Sequence, residues 1–271
     1  MSPAPENATS RDDGGEEQDT SAPGSMASAS SLAEAAMARA EDAAYRRRPR
    51  QTRGQQRVTL LLDAAAAVIA RSGLQAATAE AIAAEAHTAK GSLYQFFPNR
   101  DAVLAALAMR YAEEMRAIYE RALPPDAHAL PLPVLIDRII KPLAAFHDHN
   151  PAFRRVFAHH DLPHDLAATS PSQLRVQLFE SFVERFESVF AARNPGLQAR
   201  ECRRIALITA TVGQSVLARR ARAVPSEKRP ILDELRQLLQ LYLSPVLDPE
   251  SPKRQRGAHT SAKRKGTDPA S

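Results

Sequence analysis

Apolar residues recur at every third or fourth position through most of the chain between residues 53 and 247, which is the spacing of one face of an α-helix. No stretch in this range shows the strict two-residue alternation that predicts a half-buried β-strand. Glycine and proline interrupt the helical pattern at intervals and so mark the ends of its segments. We predict nine helices, at about residues 54–72, 79–86, 90–96, 100–123, 133–148, 151–159, 172–193, 198–222 and 227–244.

Capping residues support the first of these boundaries. Gly73 suits the end of the first helix, because glycine accepts the backbone conformations that terminate helices. Thr78 and Asn99 precede the second and fourth helices, where a side-chain oxygen can accept a hydrogen bond from the free N–H groups of the first turn. Asp101 adds a negative charge to the first turn of the fourth helix, which is favourable against the helix dipole. The sequence therefore predicts an all-α fold.

The residues outside the helical region have a different composition. Residues 1–44 are rich in Ser, Ala, Gly, Pro and acidic residues, and the residues after 247 are polar and basic, so neither segment can bury a core. Before the first helix lies the run RRRPRQTRGQQR, which contains six arginines and no acid. Its arginines, including Arg53 and Arg57, form either an arm that follows DNA phosphates or enters a minor groove, or a charged linker that only aids solubility.

Three features bear on the compartment. Cys202 is the single cysteine and cannot form an internal disulfide, which favours a reducing cytosol. The N-terminus is acidic and lacks the basic and apolar regions of a secretion signal. The longest nearly apolar stretch, residues 58–70, contains Asp63 and is too short to span a bilayer. We expect a cytoplasmic protein without membrane contact.

The third predicted helix lies within AKGSLYQFF at residues 89–97 and is short, basic at its start and aromatic at its end. It follows the second helix across a short turn, as in a helix-turn-helix, whose second helix enters the DNA major groove. Leu93 and Phe97 are four residues apart, so both can face the core. The residues left on the other faces are Lys90, Ser92, Gln95 and Phe96.

The chemistry of this short helix suits DNA. Lys90 and the free N–H groups at the helix start favour a phosphate, and Gly91 lets the backbone come close. Ser92 and Gln95 can hydrogen-bond base edges, where a glutamine suits adenine, and Tyr94 offers a hydroxyl to a phosphate. The alternative is one more corner of an α-helical bundle, with its polar residues merely solvated. Periodicity alone does not separate these two interpretations.

The same segment resembles the N-terminal domain of the tetracycline-repressor (TetR/AcrR) family of bacterial dimeric transcription regulators. The shared residues, in order and with matching gaps, are Leu62-Asp63-Ala64-Ala65, Gly73, Thr78, Ile82-Ala83, Ala86, Gly91, Leu93-Tyr94, Phe97, Arg100-Asp101 and Val103. The resemblance implies a DNA-binding regulator. The phosphate contacts that it implies are Thr78, Lys90, Tyr94 and Arg100, and the base contacts are Ser92 and Gln95.

Three positions depart from the family pattern. Phe96 stands where the family often has His. His87 stands where the family usually has Gly, so a left-handed backbone there would carry a cost that His tolerates better than a branched residue would. Ala89 replaces the usual Ser or Thr cap, and Thr88 is expected to cap the third helix from one position earlier.

The second half of the chain resembles the family only in its helical layout. Phe179, Phe182, Phe186 and Phe190 share one face of the helix predicted at 172–193. They either wall an apolar effector cavity or, as the alternative for most of them, fill the core. The residues that we expect around such a cavity are Met115, Tyr119, Phe146, Phe153, Phe157, Phe179, Phe182 and Phe186.

The last two long helices carry broad apolar faces, at residues 205–217 and 231–242. Two copies of each helix would form a four-helix interface in a homodimer. Ala210, Gly213 and Ser215 would allow close approach in that interface. Packing within one chain is the alternative.

No arrangement of residues predicts catalysis, a cofactor or a metal site. Five histidines lie near one another in sequence, but His-x-His and His-His spacings on a helix point the rings apart, so their imidazoles would not converge on a metal. They are His147, His149, His159, His160 and His164. A nucleophile–base pair, a phosphate-cradling loop and a convincing carboxylate pair are also missing. We expect a protein that is not an enzyme.

These features predict four segments. They are a disordered tail ending in an arginine-rich arm at 1–52, a helix-turn-helix DNA-binding domain at 53–113, a helical effector-binding and dimerisation domain at 114–247, and a disordered basic tail at 248–271. We interpret the chain as a repressor that binds a palindromic operator in double-stranded DNA as a homodimer and is released by a small-molecule effector. The alternative is a nucleoid or scaffolding protein that binds DNA without sequence preference.

Overall fold

The computed structural model describes residues 52–158 and 171–248, together with the isolated positions 31, 35, 38, 44 and 45. In the two continuous ranges the chain forms nine α-helices, two short 3-10 turns at Leu74–Ala76 and Ala127–Ala129, and no strand. The helices are α1 Thr52–Ser72, α2 Ala79–Glu85, α3 Lys90–Phe96, α4 Arg100–Ala122, α5 Leu132–His149, α6 Phe153–Ala158, α7 Pro171–Arg193, α8 Ala199–Arg220 and α9 Pro225–Leu247. None of these helices is both long and apolar enough to cross a membrane. Most of the two predicted tails lies outside the described residues.

The predicted all-α fold is confirmed, and each helix begins and ends within three residues of its predicted bounds. The Thr78 hydroxyl caps α2 by accepting a hydrogen bond from the N–H of Ala81 at 3.1 Å. Asn99 caps α4 in the same way, through the N–H of Ala102 at 2.8 Å. Gly73 follows α1 with a φ of 89°, a conformation that a side chain would strain.

The helices α1, α2 and α3 enclose a small core together with the start of α4. α1 packs against α2 and α4, and α2 packs against α3. Leu93 and Phe97 are completely buried, as predicted. Buried residues of the neighbouring helices include Leu61, Ala65, Ile69, Ile82 and Leu104. This burial determines which face of the short α3 is left for solvent.

The long helix α4 connects this N-terminal unit to the remaining helices. It packs against α1, and also against α5, α6 and α7. Tyr111 meets Phe146 and Phe153 edge to face, with ring centroids 6.2 and 5.7 Å apart. Tyr119 stacks on Phe182 of α7, with centroids 3.7 Å apart. Aromatic packing on α4 therefore joins the two halves of the described chain.

The helices α5, α7, α8 and α9 form a bundle, in which α8 packs against the other three and α5 also packs against α9. Arg220 of α8 is buried and pairs with Asp148 of α5 at 2.9 Å, and Lys228 of α9 contacts the same carboxylate at 2.7 Å. Burial alone would raise the pKa of Asp148, but hydrogen bonds from Lys228 and Arg220 hold it below its ordinary value. Three helices are thus tied together at one carboxylate.

The short helix α6 lies between the N-terminal unit and the bundle. It packs against α1, α4 and α7. Arg155 of α6 donates hydrogen bonds to the backbone carbonyls of Ile69 and Ala70, the second at 2.8 Å. Both carbonyls lie near the C-terminal end of α1, where the helix dipole favours a positive charge. α6 is therefore bonded directly to the first helix.

Candidate functional site

The outward face of α3 carries the polar residues that the sequence predicts there. Its exposed residues are Lys90, Gly91 and Gln95, and its half-buried polar residues are Ser92 and Tyr94. A Cβ atom added to Gly91 would meet no other described atom within 4 Å, so the backbone is open to a close approach. Phe96 is half-buried and packs against the core, so only part of its ring is available to this face.

The turn before α3 contains the left-handed residue that the sequence predicts. His87 has a φ of 49°, the only positive value at a described residue other than glycine. Ala89 is extended, and no side chain caps α3. The expectation that Thr88 caps this helix is wrong, because its hydroxyl instead accepts a hydrogen bond from Arg57 of α1 at 3.3 Å. This hydrogen bond ties the turn before α3 to α1, and the free N–H groups at the start of α3 have no side-chain cap.

Lys90 already has an anionic partner within the protein. Its ammonium group pairs with Glu80 of α2 and lies 5.7 Å from the centroid of the Tyr94 ring. The hydrogen bond between Lys90 and Glu80 lowers the pKa of Glu80 and raises the pKa of Lys90, so both groups are charged at neutral pH. Both side chains are exposed, so the pair is screened by salt and contributes little to stability. An incoming phosphate would compete with Glu80 for Lys90.

Two further predicted contact residues serve the local fold. Thr78 is exposed at the start of α2, where it forms the cap described above. Arg100 is half-buried, and its guanidinium donates to the backbone carbonyls of Ala77 at 2.9 Å and Leu74 at 2.6 Å. The same group pairs with Asp101 at 3.2 Å. These bonds use three of the five N–H donors of the guanidinium, so two remain for a phosphate.

Arg53 and Arg57 lie on the first two turns of α1, and both are exposed. The structure thus makes the basic segment helical at these two positions. Arg57 also reaches Thr88 in the turn before α3, which places its guanidinium beside the start of that helix. The arginines at 46–50 lie outside the described residues.

A second candidate site is a cavity of about 360 Å³ among α4, α5, α6, α7 and α8. Its volume is within the range of small-molecule sites. Its apolar lining is Met115, Phe153, Phe157, Leu178, Phe179, Phe182 and Ala218. Five of these residues are ones that the sequence predicts around an effector pocket, namely Met115, Phe153, Phe157, Phe179 and Phe182. The structure therefore brings them together around a space.

The other three predicted pocket residues lie outside this lining. Tyr119 and Phe186 line an adjoining cavity of about 30 Å³, which is large enough only for water. Phe146 packs edge to face against Phe153, with centroids 5.0 Å apart. These three side chains fill the core, which was the alternative to lining an effector cavity. Gln214 of α8 lines both cavities.

Four polar side chains complete the larger cavity, namely His147, Arg154, Arg175 and Gln214. Burial lowers the pKa of His147 to about 4, and the charge of Arg154 reinforces the effect, so the ring is neutral at neutral pH. Burial and the charge of Arg222 lower the pKa of Arg154. Sequence reasoning missed these four as a group, because they come from four different helices and share no spacing.

The three N-terminal helices, with a polar α3 presented outward after a short turn, define a helix-turn-helix DNA-binding fold. The family model described as bacterial regulatory proteins of the tetR family matches residues 61–107. A second model, for the C-terminal domain of tetracyclin repressor-like proteins, matches residues 131–243. The chain belongs to the TetR family of transcriptional regulators.

Two solved structures, from Rhodococcus sp. RHA1 and Bacillus halodurans, share this fold. A TetR-like transcriptional regulator from Rhodococcus sp. RHA1 is 20% identical, with a TM-score of 0.52 over 73% of this chain and 97% of that one. The fatty acid degradation regulator FadR from Bacillus halodurans is 17% identical, with a TM-score of 0.50 over 71% and 96%. A TetR-family regulator from Streptomyces coelicolor is 25% identical, with a TM-score of 0.45 over 70% and 99%. No curated protein sequence matches the chain.

His147 predicts an acid sensitivity of folding. Its pKa of about 4 in the folded protein lies below the ordinary value of 6.5, so the unfolded chain takes up a proton first as the pH falls. The stability loss therefore begins near pH 6.5 and is complete near pH 4. Between pH 7 and pH 5 we expect His147 to cost about 2 kcal/mol of unfolding free energy.

Urea unfolding of the full chain at both pH values measures this effect. His147→Gln should remove about 2 kcal/mol of the pH dependence. The matched control is His149→Gln, at an exposed histidine on the same helix, which should keep the dependence of the original chain. Equal pH dependence in the His147→Gln variant and the original chain would show that His147 is not the responsible group.

Proposed function

We propose that this protein is a cytoplasmic repressor that binds a palindromic operator as a homodimer and releases it when a small-molecule effector fills the larger cavity. The observation that carries the proposal is the outward polar face of α3, anchored by Leu93 and Phe97 on a family fold that binds DNA. The role needs no cofactor or catalysis. We assign the DNA-binding domain to residues 53–113 and the effector and dimerisation domain to residues 114–247.

In this proposal Gln95 and Ser92 read base edges in the major groove. Contacts with phosphates position the domain and carry no sequence information of their own. The proposed phosphate contacts are Thr78, Lys90, Tyr94, Arg53 and Arg57. The open space at Gly91 allows the backbone to approach the duplex. Arg100 acts as a positioning residue, since its guanidinium holds the turn between α1 and α2.

The proposed dimer forms through α8 and α9, which expose apolar side chains that the bundle does not cover. Leu207 and Ile208 of α8 are 41% and 40% exposed, and Leu238 and Leu241 of α9 are 49% and 68% exposed. Covering them on a second copy would release this apolar surface from water. A symmetric dimer also places two copies of α3 on successive major grooves, roughly 34–36 Å apart.

The apolar faces predicted for α8 and α9 divide into two sets. Ile205 and Leu217 of α8, and Leu235 and Leu239 of α9, are buried within the chain. Ala210 and Gly213 line the small internal cavity, so of the three small residues only Ser215 is exposed. Fewer residues of α8 and α9 are therefore available to the proposed dimer interface than the sequence pattern suggests.

The helix α6 supplies a route from the effector cavity to the DNA-binding helices. Phe153, Arg154 and Phe157 of α6 line the cavity, while Arg155 is bonded to the last turns of α1. An effector that prefers a different position of α6 would therefore favour a different position of α1. The DNA-binding conformation would lose population by the difference in effector affinity between the two positions.

Replacing Gln95 by Ala tests base reading. Selection of preferred sequences from a random duplex pool should give a palindrome for the original chain. The Gln95→Ala variant should lose preference at one position of each half-site, worth about 1–3 kcal/mol of discrimination. Gln75→Ala, at an exposed glutamine of the first 3-10 turn, is the control and should leave the selected palindrome unchanged. A chain that selects no sequence at all would instead be the nonspecific nucleoid-type protein.

Glu80→Gln tests the phosphate contact of Lys90. Removing the carboxylate releases Lys90 from its ion pair, so affinity for selected and random duplexes should rise by the same factor, up to about fivefold at low salt. Electrophoretic mobility shifts at several salt concentrations measure this gain. Glu85→Gln is the matched control, because Glu85 lies on the same helix but pairs with Arg71 at 2.8 Å. An equal gain in both variants would reflect net charge alone.

Leu241→Asp tests the dimer interface. The substitution places a carboxylate at both symmetric positions of a desolvated surface, so the dimer dissociation constant should rise by roughly a hundredfold. Sedimentation equilibrium measures this constant, and specific DNA affinity should fall with it. Leu60→Asp changes a leucine of α1 that is 43% exposed and should leave the dimer intact. A monomeric original chain, or a Leu241→Asp variant that dimerises normally, would contradict the proposed interface.

A further inference from the structure

The cavity among α4, α5, α6, α7 and α8 has a one-sided charge. Its lining consists of seven apolar residues, two arginines, His147 and Gln214, and it includes no acidic residue in the described part of the chain. The histidine is neutral at neutral pH, because burial holds its pKa near 4. Among the described residues, the charge presented to a molecule in the cavity therefore comes from Arg154 and Arg175, and it is positive.

These two arginines differ from nearby arginines in the partners of their guanidinium groups. Arg155 bonds to backbone carbonyls of α1, and Arg220 pairs with Asp148. Among residues 52–158 and 171–248, Arg154 and Arg175 form no ion pair. The charge that acts on the half-buried Arg154 is another cation, Arg222. Arg154 is half-buried, and partial burial of a guanidinium without an anionic partner is unfavourable, whereas Arg175 is exposed to solvent.

We propose that the effector is a lipophilic carboxylate, whose apolar body lies against the phenylalanine walls and whose carboxylate binds Arg154 and Arg175. This inference rests on the proposed function, in which this cavity is the effector site. A carboxylate supplies the anion that both guanidinium groups lack and accepts their hydrogen bonds in the strong, charge-assisted form. Gln214 and the neutral His147 can donate further hydrogen bonds to the same oxygens.

Other classes of lipophilic compound fit this lining less well. A lipophilic cation could contact the aromatic rings, but it would meet two arginines and no described acid in the wall. The acid nearest to His147 is Asp148, which is already held by Arg220 and Lys228. A neutral compound of the same shape would fill the apolar space and leave both arginines unpaired. The charge of the lining therefore selects for an anion.

Four probes separate the head group from the apolar chain. Sodium decanoate, decan-1-ol and decylammonium chloride share one chain, and sodium acetate has the carboxylate without it. Each is titrated into the full chain at neutral pH, without DNA, and measured by isothermal titration calorimetry. Decanoate should bind about tenfold or more tightly than decan-1-ol, and decylammonium more weakly than either. Acetate should give no measurable binding, because it lacks the apolar body.

Three arginine variants locate the head group. Arg154→Gln should weaken decanoate binding by about tenfold, and Arg175→Gln, at an exposed side chain, by up to about fivefold. Both variants should leave decan-1-ol binding unchanged, which also shows that the cavity is intact. Arg138→Gln removes an exposed arginine of α5 outside the lining and should bind decanoate as the original chain does. The inference is overturned if decanoate does not bind, or if decan-1-ol or decylammonium binds the original chain as tightly. It also fails if neither cavity variant affects decanoate.

DNA binding is measured separately, so the proposed ligand class and the proposed regulatory function can fail independently. If decanoate binds as expected but does not change affinity for the selected duplex, the effector role of the cavity fails and the ligand class stands. If the duplex is selected normally but the original chain shows no preference for the carboxylate, the ligand class fails and the DNA-binding regulator stands.

Discussion

Burial of Leu93 and Phe97 is the constraint on which the DNA-binding face depends. α3 has seven residues, and a helix of that length is unstable in isolation. It persists because these two side chains are fixed in the core made by α1, α2 and α4. Since they lie four residues apart, they also determine the rotation of the helix, and the polar residues between them must face outward. Arg100 stabilises the same core, because its guanidinium donates hydrogen bonds to the carbonyls of Leu74 and Ala77. The direction of the polar residues is thus a consequence of apolar packing.

Glu80, the acidic partner of Lys90, reduces the positive charge on the outward face of α3. In the free protein Lys90 is neutralised by Glu80, a residue of the brace helix α2. Binding to DNA would exchange a carboxylate for a phosphate at one ammonium group, so the net gain is smaller than for an unpaired lysine. Such an exchange lowers affinity for selected and random duplexes by the same factor, because Lys90 would contact a phosphate in both. In the proposed complex Glu80 therefore weakens binding to any duplex, while the exposed Arg53 and Arg57 strengthen it.

The sequence is sufficient to predict the local features and insufficient for those that depend on several helices. Helix bounds, the caps at Thr78 and Asn99, and the inward direction of Leu93 and Phe97 all follow from spacing within one segment, and each is confirmed. The predicted Thr88 cap is wrong, because Arg57, thirty-one residues earlier, takes its hydroxyl instead. The cavity arginines could not be predicted, since partners from α6 and α7 meet only after folding. The division of α8 into buried and exposed apolar residues likewise depends on how α5 and α9 pack beside it.

Consecutive arginines on α6 connect the two candidate sites more directly than the long α4 does. Arg154 lines the proposed effector cavity, and Arg155 holds the carbonyls of Ile69 and Ala70 in α1. α6 has only six residues, so its two arginine positions cannot move independently without loss of the helix. A carboxylate that moves α6 as a whole when it binds Arg154 would shift Arg155 relative to α1. Because α1 packs against both α2 and α4, a small displacement there is transmitted to the whole DNA-binding unit. In the proposed regulator, a molecule in the cavity would thus affect the orientation of α3 through the six residues of α6.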